Sequence, residues 1–220
     1  MLNNQLSAFP ATIDAPREET ASLLSKVLAI TSFGFLVTAA GVYTAPAWST
    51  LPGIIAVFAL IFAIRFARRT SPVLALSLFL ALTYFMGWEI GPLIHRYIQS
   101  FGSGLVLEAA ITTGAGMAIM ACVAYLFQIN YRRIAGIAFA GLLVLIVLGI
   151  ASMFFHFLSP STYSWLTLGI FTMLTVADFA RIRAGGDGQS AVALSLSIYL
   201  DGINIFLALL QLLGGGRRRS

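Results

Sequence analysis

Charge is the scarcest property of this 220-residue sequence, because Asp, Glu, Lys and Arg together supply only 10% of its residues. A soluble domain carries about 25% charged residues, so this chain cannot cover a surface that faces water. Hydrophobic residues make up 59% of the chain, and the mean hydropathy is +0.93. These values exclude a soluble globular domain, a disordered chain and a nucleic-acid-binding module. They predict an integral membrane protein.

Cysteine is nearly absent from the sequence, and catalytic motifs are absent. The single cysteine, Cys122, excludes a disulfide scaffold and a cysteine-cluster metal site. The patterns typical of zinc proteases, nucleophile elbows, phosphate-binding loops and dinucleotide-binding folds do not occur. Since no nucleophile is paired with a base either, we expect neither an enzyme nor a protein that holds a metal or cofactor.

Seven apolar runs fill most of the chain, and each is long enough to cross a bilayer as a helix. Proline, glycine and arginine clusters separate them, as helix ends require. We therefore predict an all-α integral membrane fold with a polar tail over residues 1–24, a seven-helix domain over 25–213 and a Gly/Arg-rich tail over 214–220. The runs cover about residues 25–44, 51–67, 73–94, 104–127, 134–157, 162–180 and 190–213.

The distribution of basic residues predicts a cytoplasmic N-terminus. With that orientation the inner segments hold nearly all Lys and Arg between residues 17 and 183, and the outer loops hold only Arg96. One feature opposes it, because seven spans place the arginines of residues 217–219 outside. Either this tail lies outside despite its charge, or the last run is re-entrant. The charge bias of early loops usually dominates, which favours seven spans.

Two acids inside the last two runs form the main candidate site. A charge within the bilayer is costly, so such residues mark a bundle interior or a water path. Asp201 has apolar neighbours for two turns or more on both sides, so nothing near it in the sequence compensates its charge. The charge of Asp178 can be compensated by an ion pair with Arg181, three residues later on the same helix. If the seventh helix begins late, near Ala193, the two carboxyl groups meet and share a proton. Otherwise Asp201 is a structural acid.

Two further acids lie toward the outer side. Glu89 lies near the outer end of the third run, and Glu108 opens the fourth. Together they would form the outer mouth of a cation path. The alternatives are a plain interfacial charge cluster of Glu89 with His95 and Arg96, and a favourable interaction of Glu108 with its helix dipole.

Three stretches carry a resemblance to a known family. They are residues 85–92 (FMGWEIGP), residues 109–114 (AAITTG) and the C-terminal quarter, where Asp178 and Asp187 precede residues 193–206 (ALSLSIYLDGINIF). With these motifs the chain resembles the Bax inhibitor-1 (transmembrane BAX inhibitor motif) family, in its bacterial YccA-like branch. The resemblance covers about residues 25–213.

The resemblance implies seven helices, with the last one central and wrapped by the other six. It also implies a pH-sensitive calcium leak of the bacterial inner membrane, closed by an aspartate pair to which Asp178 and Asp201 correspond. In some members a basic residue of the second helix pairs with the sixth-helix aspartate, and here Arg65 or Arg68 would do so. The family often has Thr and Gln after that aspartate, whereas Phe and Ala follow it here.

Two functions of different classes follow. The first is a leak whose permeant ion is Ca²⁺ and whose gate exchanges protons at the two aspartates; a proton-coupled transporter would use the same acids. The second is a regulator that binds the membrane protease FtsH, as some bacterial relatives do, through the polar N-terminal tail. The expected partners are thus the lipid bilayer, Ca²⁺, protons and FtsH, and not nucleic acid.

Overall fold

The computed structural model describes residues 15–46, 51–67 and 71–217, and within them every regular element is helical. Six of the described helices are long and apolar enough to cross a membrane, and α2 is a shorter apolar helix. The predicted all-α membrane fold is thereby confirmed, and the chain is a multi-pass membrane protein. The helices are α1 (Ala15–Tyr43), α2 (Leu51–Ala67), α3 (Pro72–Phe101), α4 (Ser103–Leu126), α5 (Tyr131–Phe155), α6 (Pro160–Arg183) and α7 (Ala191–Arg217).

Polar caps explain where several helices begin. The side-chain oxygens of Ser71, Asn130 and Ser159 accept hydrogen bonds from the backbone N–H three residues later, at 3.1–3.3 Å. Such caps satisfy donors that the first turn leaves without a partner. A proline also stands in the first turn of α3 and α6, where its missing N–H costs nothing.

The first and last helices extend beyond the apolar runs. α1 begins at Ala15 rather than near residue 25, and a proline followed by two glutamates opens the chain's first helical turns, which favours initiation. α7 continues through Gly214, Gly215 and Gly216 to Arg217. A side chain at Gly214 would overlap the ring of Tyr97 on α3, so glycine here permits the contact between the two helices.

Glycine also allows α1 and α3 to pack closely. A Cβ at Gly41 would overlap the carbonyl oxygen of Tyr84, and one at Gly87 would overlap that of Thr38. Small residues let two backbones approach where no hydrophobic force drives helices together in lipid. Gly87 and Gly91, which form a G-x-x-x-G spacing in the third apolar run, thus serve helix packing, since a Cβ at Gly91 would also overlap the side chain of Ala45.

α7 is the most buried of the six long apolar helices. Of the most apolar stretch of α7, 61% is buried, against 11% in α5. Four helices (α1, α3, α4 and α6) pack directly against α7, whereas the main partner of α2 is α3 and that of α5 is α6. The two candidate aspartates therefore lie on the two most buried of these helices, since 44% of the most apolar stretch of α6 is buried as well.

Candidate functional site

A tight turn joins the two helices that carry the candidate aspartates. Gly185, Gly186 and Gly188 have positive φ values of 93°, 75° and 69°, and Asp187 between them has φ 52°. Glycine adopts such backbone at little steric cost. Because of this turn α7 begins only at Ala191. For the two acids to align, the sequence required a start near Ala193, and the observed start is close to it.

Asp178 and Asp201 are both buried, each with 5% of its surface exposed. Each acid faces a hydroxyl group of the opposite helix: Asp178 is hydrogen-bonded to the side chain of Ser197, and Oδ2 of Asp201 accepts from Oγ1 of Thr175 at 3.4 Å. Thr175 precedes Asp178 by three residues and Ser197 precedes Asp201 by four, so the two acids occupy successive turns. At 1.5 Å per residue they are about 5 Å apart along the helix axis.

The carboxyl groups of Asp178 and Asp201 are close enough to interact electrostatically. The structure therefore brings the predicted pair to one place between α6 and α7. The direct hydrogen bond between the carboxyl groups, with one shared proton, stays a prediction. Thr175 and Ser197 were not foreseen as partners, although a hydroxyl residue one turn before each acid was a usable signal in the sequence.

Arg181 completes the site. Its Nη1 lies 2.9 Å from Oδ1 of Asp178, one turn away on the same helix, and its Nε lies 3.9 Å from Oδ2 of Asp187 in the turn. The sequence allowed two interpretations of Asp178: an ion pair with Arg181, or a carboxyl pair with Asp201. In the structure Asp178 contacts Arg181 and also lies near Asp201. The contribution of Asp187 was not anticipated from the sequence.

A cavity of about 290 Å³ lies between α2, α6 and α7. Both partners of Asp178, namely Arg181 and Ser197, line it. Arg65 of α2 and Gln189 line the same space, so the structure places Arg65 beside the site for which the resemblance suggested it. The other suggested residue, Arg68, lies outside the described residues.

The two acids predicted at the outer side, Glu89 and Glu108, differ in their contacts. Oε2 of Glu108 accepts from Nη2 of Arg217 at 2.9 Å, with both side chains 48% exposed, which joins the end of α7 to the start of α4. Glu89 is half-buried on α3. Within residues 15–46, 51–67 and 71–217, no hydrogen bond or ion pair links Glu89 to Glu108, His95 or Arg96.

Comparison with known proteins identifies the family. The family model described as "Inhibitor of apoptosis-promoting Bax1" matches residues 20–218. The chain belongs to the Bax inhibitor-1 family. This confirms the resemblance that the motifs of the third, fourth and seventh runs suggested, and it extends the match over nearly all of the described structure.

Relatives in the family match along most of their length. The "Modulator of FtsH protease YccA" of Escherichia coli K12 is 26% identical over 202 residues, which cover 89% of this chain and 88% of the relative. The "Inner membrane protein YccA" of Escherichia coli O6:H1 gives the same values. A protein of Borreliella burgdorferi is 28% identical over 217 residues, covering 88% of this chain and 92% of the relative.

Proposed function

We propose that this member of the Bax inhibitor-1 family is a pH-sensitive calcium leak channel of a bacterial inner membrane. In this proposal seven helices span the bilayer, the N-terminus is cytoplasmic, and Asp178 and Asp201 form the latch. One observation carries it: two acids with 5% exposure lie on successive turns of the buried α6–α7 pair. Burying two carboxyl groups this close is costly, and a protein that served only as scaffold would not need them.

Electrostatics explains how such a pair would control a helix contact. While one acid keeps its proton, the pair carries a single negative charge beside Arg181. When both acids ionise, their like charges repel; at a separation of about 5 Å and an effective dielectric of about 20 the repulsion is about 3 kcal/mol, and it falls as the separation grows. A change of this size shifts a two-state packing equilibrium about a hundredfold. Protonation of the pair would therefore decide how tightly α6 and α7 pack.

Arginines beside the pair would oppose this repulsion. Arg181 already contacts Asp178, and Arg65 lines the adjoining cavity. If Arg65 forms an ion pair with the ionised Asp178, that pair holds the path shut at high pH. If Arg65 does not reach Asp178, loss of the second proton opens the path at high pH. In both cases calcium flux depends on pH through the two aspartates.

The cavity and the outer acids would supply the ends of the path. The cavity reaches Asp178 through Arg181 and Ser197 and would form its inner half. At the outer end Glu89 is the better ligand for an arriving Ca²⁺, because Glu108 is engaged with Arg217. Carboxylate oxygens are the ligands that Ca²⁺ prefers.

Calcium flux into vesicles that contain the purified protein tests the proposal. We expect wild-type flux to vary between pH 5 and pH 8, and Asp178→Asn and Asp201→Asn each to flatten that profile, since Asn has the shape of Asp but cannot titrate. Empty vesicles and the Arg133→Gln variant serve as controls, because Arg133 is an exposed residue outside the proposed path. Wild-type flux and wild-type pH dependence in both Asn variants would disprove the latch.

We propose regulation of FtsH as the second candidate function. Its support is the name of the Escherichia coli relative, a modulator of that protease, at 26% identity. The segment from Ala15 to Leu24 continues α1 beyond the apolar run, and with a cytoplasmic N-terminus it would offer the protease a helical contact. Co-purification of FtsH with the full chain, but not with a variant lacking the polar tail of residues 1–24, would support this function. Absence of FtsH from both preparations would contradict it.

A further inference from the structure

One guanidinium group is shared by two carboxylates at different depths. Nη1 of Arg181 contacts Asp178 at 2.9 Å, and its Nε lies 3.9 Å from Asp187. The side chain of Asp178 is 7% exposed and that of Asp187 is 36% exposed, so Arg181 connects the buried acid with the aqueous end of the bundle. Because the guanidinium carries five donors in one plane, it can serve both acceptors at once.

The first turn of α5 holds the other oxygen of Asp187. The Tyr131 hydroxyl donates to Oδ1 of Asp187 at 2.7 Å, and Nη2 of Arg132 lies 3.5 Å from the same atom. Asp187 thus ties the α6–α7 turn to the beginning of α5, with one carboxylate oxygen toward α5 and the other toward Arg181. Its own backbone is left-handed, a conformation that Asp and Asn tolerate better than most residues.

Asp187 is a permanent negative charge at physiological pH. The hydrogen bond from Tyr131, aided by the charges of Arg132 and Arg181, lowers the pKa of its carboxyl group below the usual value. A carboxyl group whose pKa lies below the ordinary value for Asp is ionised throughout the physiological pH range. Arg181 therefore always faces one fixed anion, Asp187, and one titratable group, Asp178.

We propose that Asp187 and Arg181 are positioning residues that set the pH at which the buried aspartate pair gains or loses its proton. Arg181 favours negative charge on Asp178 and, at longer range, on Asp201. Asp187 offsets part of that positive charge and draws the guanidinium toward the turn. This inference rests on the proposed latch and adds a control point for it at the membrane surface.

Of the two arginines at the end of α6, only Arg181 contacts Asp178 and Asp187. Its neighbour on the same turn of α6, Arg183, donates instead to the carbonyl oxygens of Ala124 and Phe127, at 3.0 Å and 2.6 Å. Arg65 reaches the same cavity from α2. Within the part of the chain that the structure describes, the ionisable side chains of this network are Asp178 and Arg181 on α6, Asp187 in the turn, Asp201 on α7, Arg65 on α2, and Tyr131 and Arg132 on α5.

Two substitutions should move the titration in opposite directions. Asp187→Asn keeps the left-handed turn but removes the fixed anion, which leaves more of the Arg181 charge for the buried acids. The midpoint of their titration should fall by roughly half a pH unit, since unlike charges favour ionisation. Arg181→Gln removes the cation, and the midpoint should rise by about one unit. In the double variant the effect of Asp187→Asn should vanish, because Asp187 acts through Arg181.

The midpoint is measured in two independent ways. The first is the pH profile of calcium flux into vesicles. The second is the infrared band of protonated carboxyl groups in the purified protein, assigned to the pair by its loss in Asp201→Asn. Arg133→Gln is the matched control, because it removes a positive charge from the first turn of α5 at a residue that does not contact Asp187. It should leave both midpoints unchanged.

The two measurements separate this inference from the proposed leak. Opposite shifts of the infrared midpoint support the inference even if no variant, nor the wild type, conducts calcium, in which case only the leak is wrong. A pH-dependent flux with an unchanged midpoint in Asp187→Asn overturns the inference and leaves the leak intact. Shifts in the same direction, or an undiminished Asp187→Asn effect in the double variant, also overturn it.

Discussion

The two ends of α7 each lie beside an arginine–carboxylate pair, and both pairs have the same N–O distance of 2.9 Å. At one end Arg181 and Asp178 are 21% and 7% exposed; at the other Arg217 and Glu108 are both 48% exposed. In water the attraction is screened and such a pair contributes little, whereas a buried charge that loses its partner is costly. The two pairs therefore have the same N–O distance but should contribute differently to stability, because only the Arg181–Asp178 pair is buried.

Breaking the buried pair should have the largest effect. We expect Arg181→Gln to lower the free energy of unfolding by about 3 kcal/mol at pH 8, because it leaves the Asp178 carboxylate uncompensated. At pH 5 the loss should be smaller, since Asp178 can then take up a proton and become neutral. Thermal unfolding in detergent at the two pH values measures both. An equal loss at pH 5 and pH 8 would mean that Asp178 does not titrate in this range.

Removing the hydroxyl partner of Asp178 should have an intermediate effect. Ser197→Ala deletes one hydrogen bond to a buried carboxyl group but leaves Arg181 in place, so we expect a loss of about 1–2 kcal/mol. The same unfolding experiment measures it, with Ser197→Thr as the variant that keeps the hydroxyl. If Ser197→Thr loses as much as Ser197→Ala, packing rather than the hydrogen bond is responsible.

Breaking the exposed pair should have the smallest effect. Glu108→Gln should cost less than about 0.5 kcal/mol in low salt, and the cost should disappear near 1 M salt, where the Debye length is about 3 Å. A salt titration of the unfolding temperature, run beside Arg181→Gln, checks the contrast. A loss as large as that of Arg181→Gln would show that exposure does not separate the two pairs.

Several features were predictable because they depend on local composition. The apolar runs became helices, the G-x-x-x-G spacing became the α1–α3 contact, and the loss of hydrophobicity at Asp178 and Asp201 marked the buried acids. Asp201 stood out since no sequence neighbour can neutralise it. The family was recognisable for the same reason, because its motifs are continuous stretches of chain.

Apart from the pairing of Asp178 with Arg181 three residues later, the partners of the acids were not predictable from local pattern. Which turn of α7 lies opposite Asp178 depends on where α7 begins, and the left-handed turn of residues 185–188 sets that start. A shift by one turn would pair different residues. The contacts of Asp187 with Tyr131, and of Glu108 with Arg217, join positions 56 and 109 residues apart, beyond the reach of any spacing rule.

By itself the amino-acid sequence determined that this chain is a helical membrane protein of the Bax inhibitor-1 family, and it marked Asp201 as an acid inside an apolar run. The reason is that lipid offers no partner to unpaired backbone groups, which favours long apolar helices, and makes an intramembrane charge conspicuous. The tertiary structure alone decided that Arg181 also reaches Asp187, that Arg65 borders the same cavity and that Arg217 pairs with Glu108. The physical reason is that ion pairs depend on distance and burial in space, and both follow from how helices dock rather than from which residues they contain.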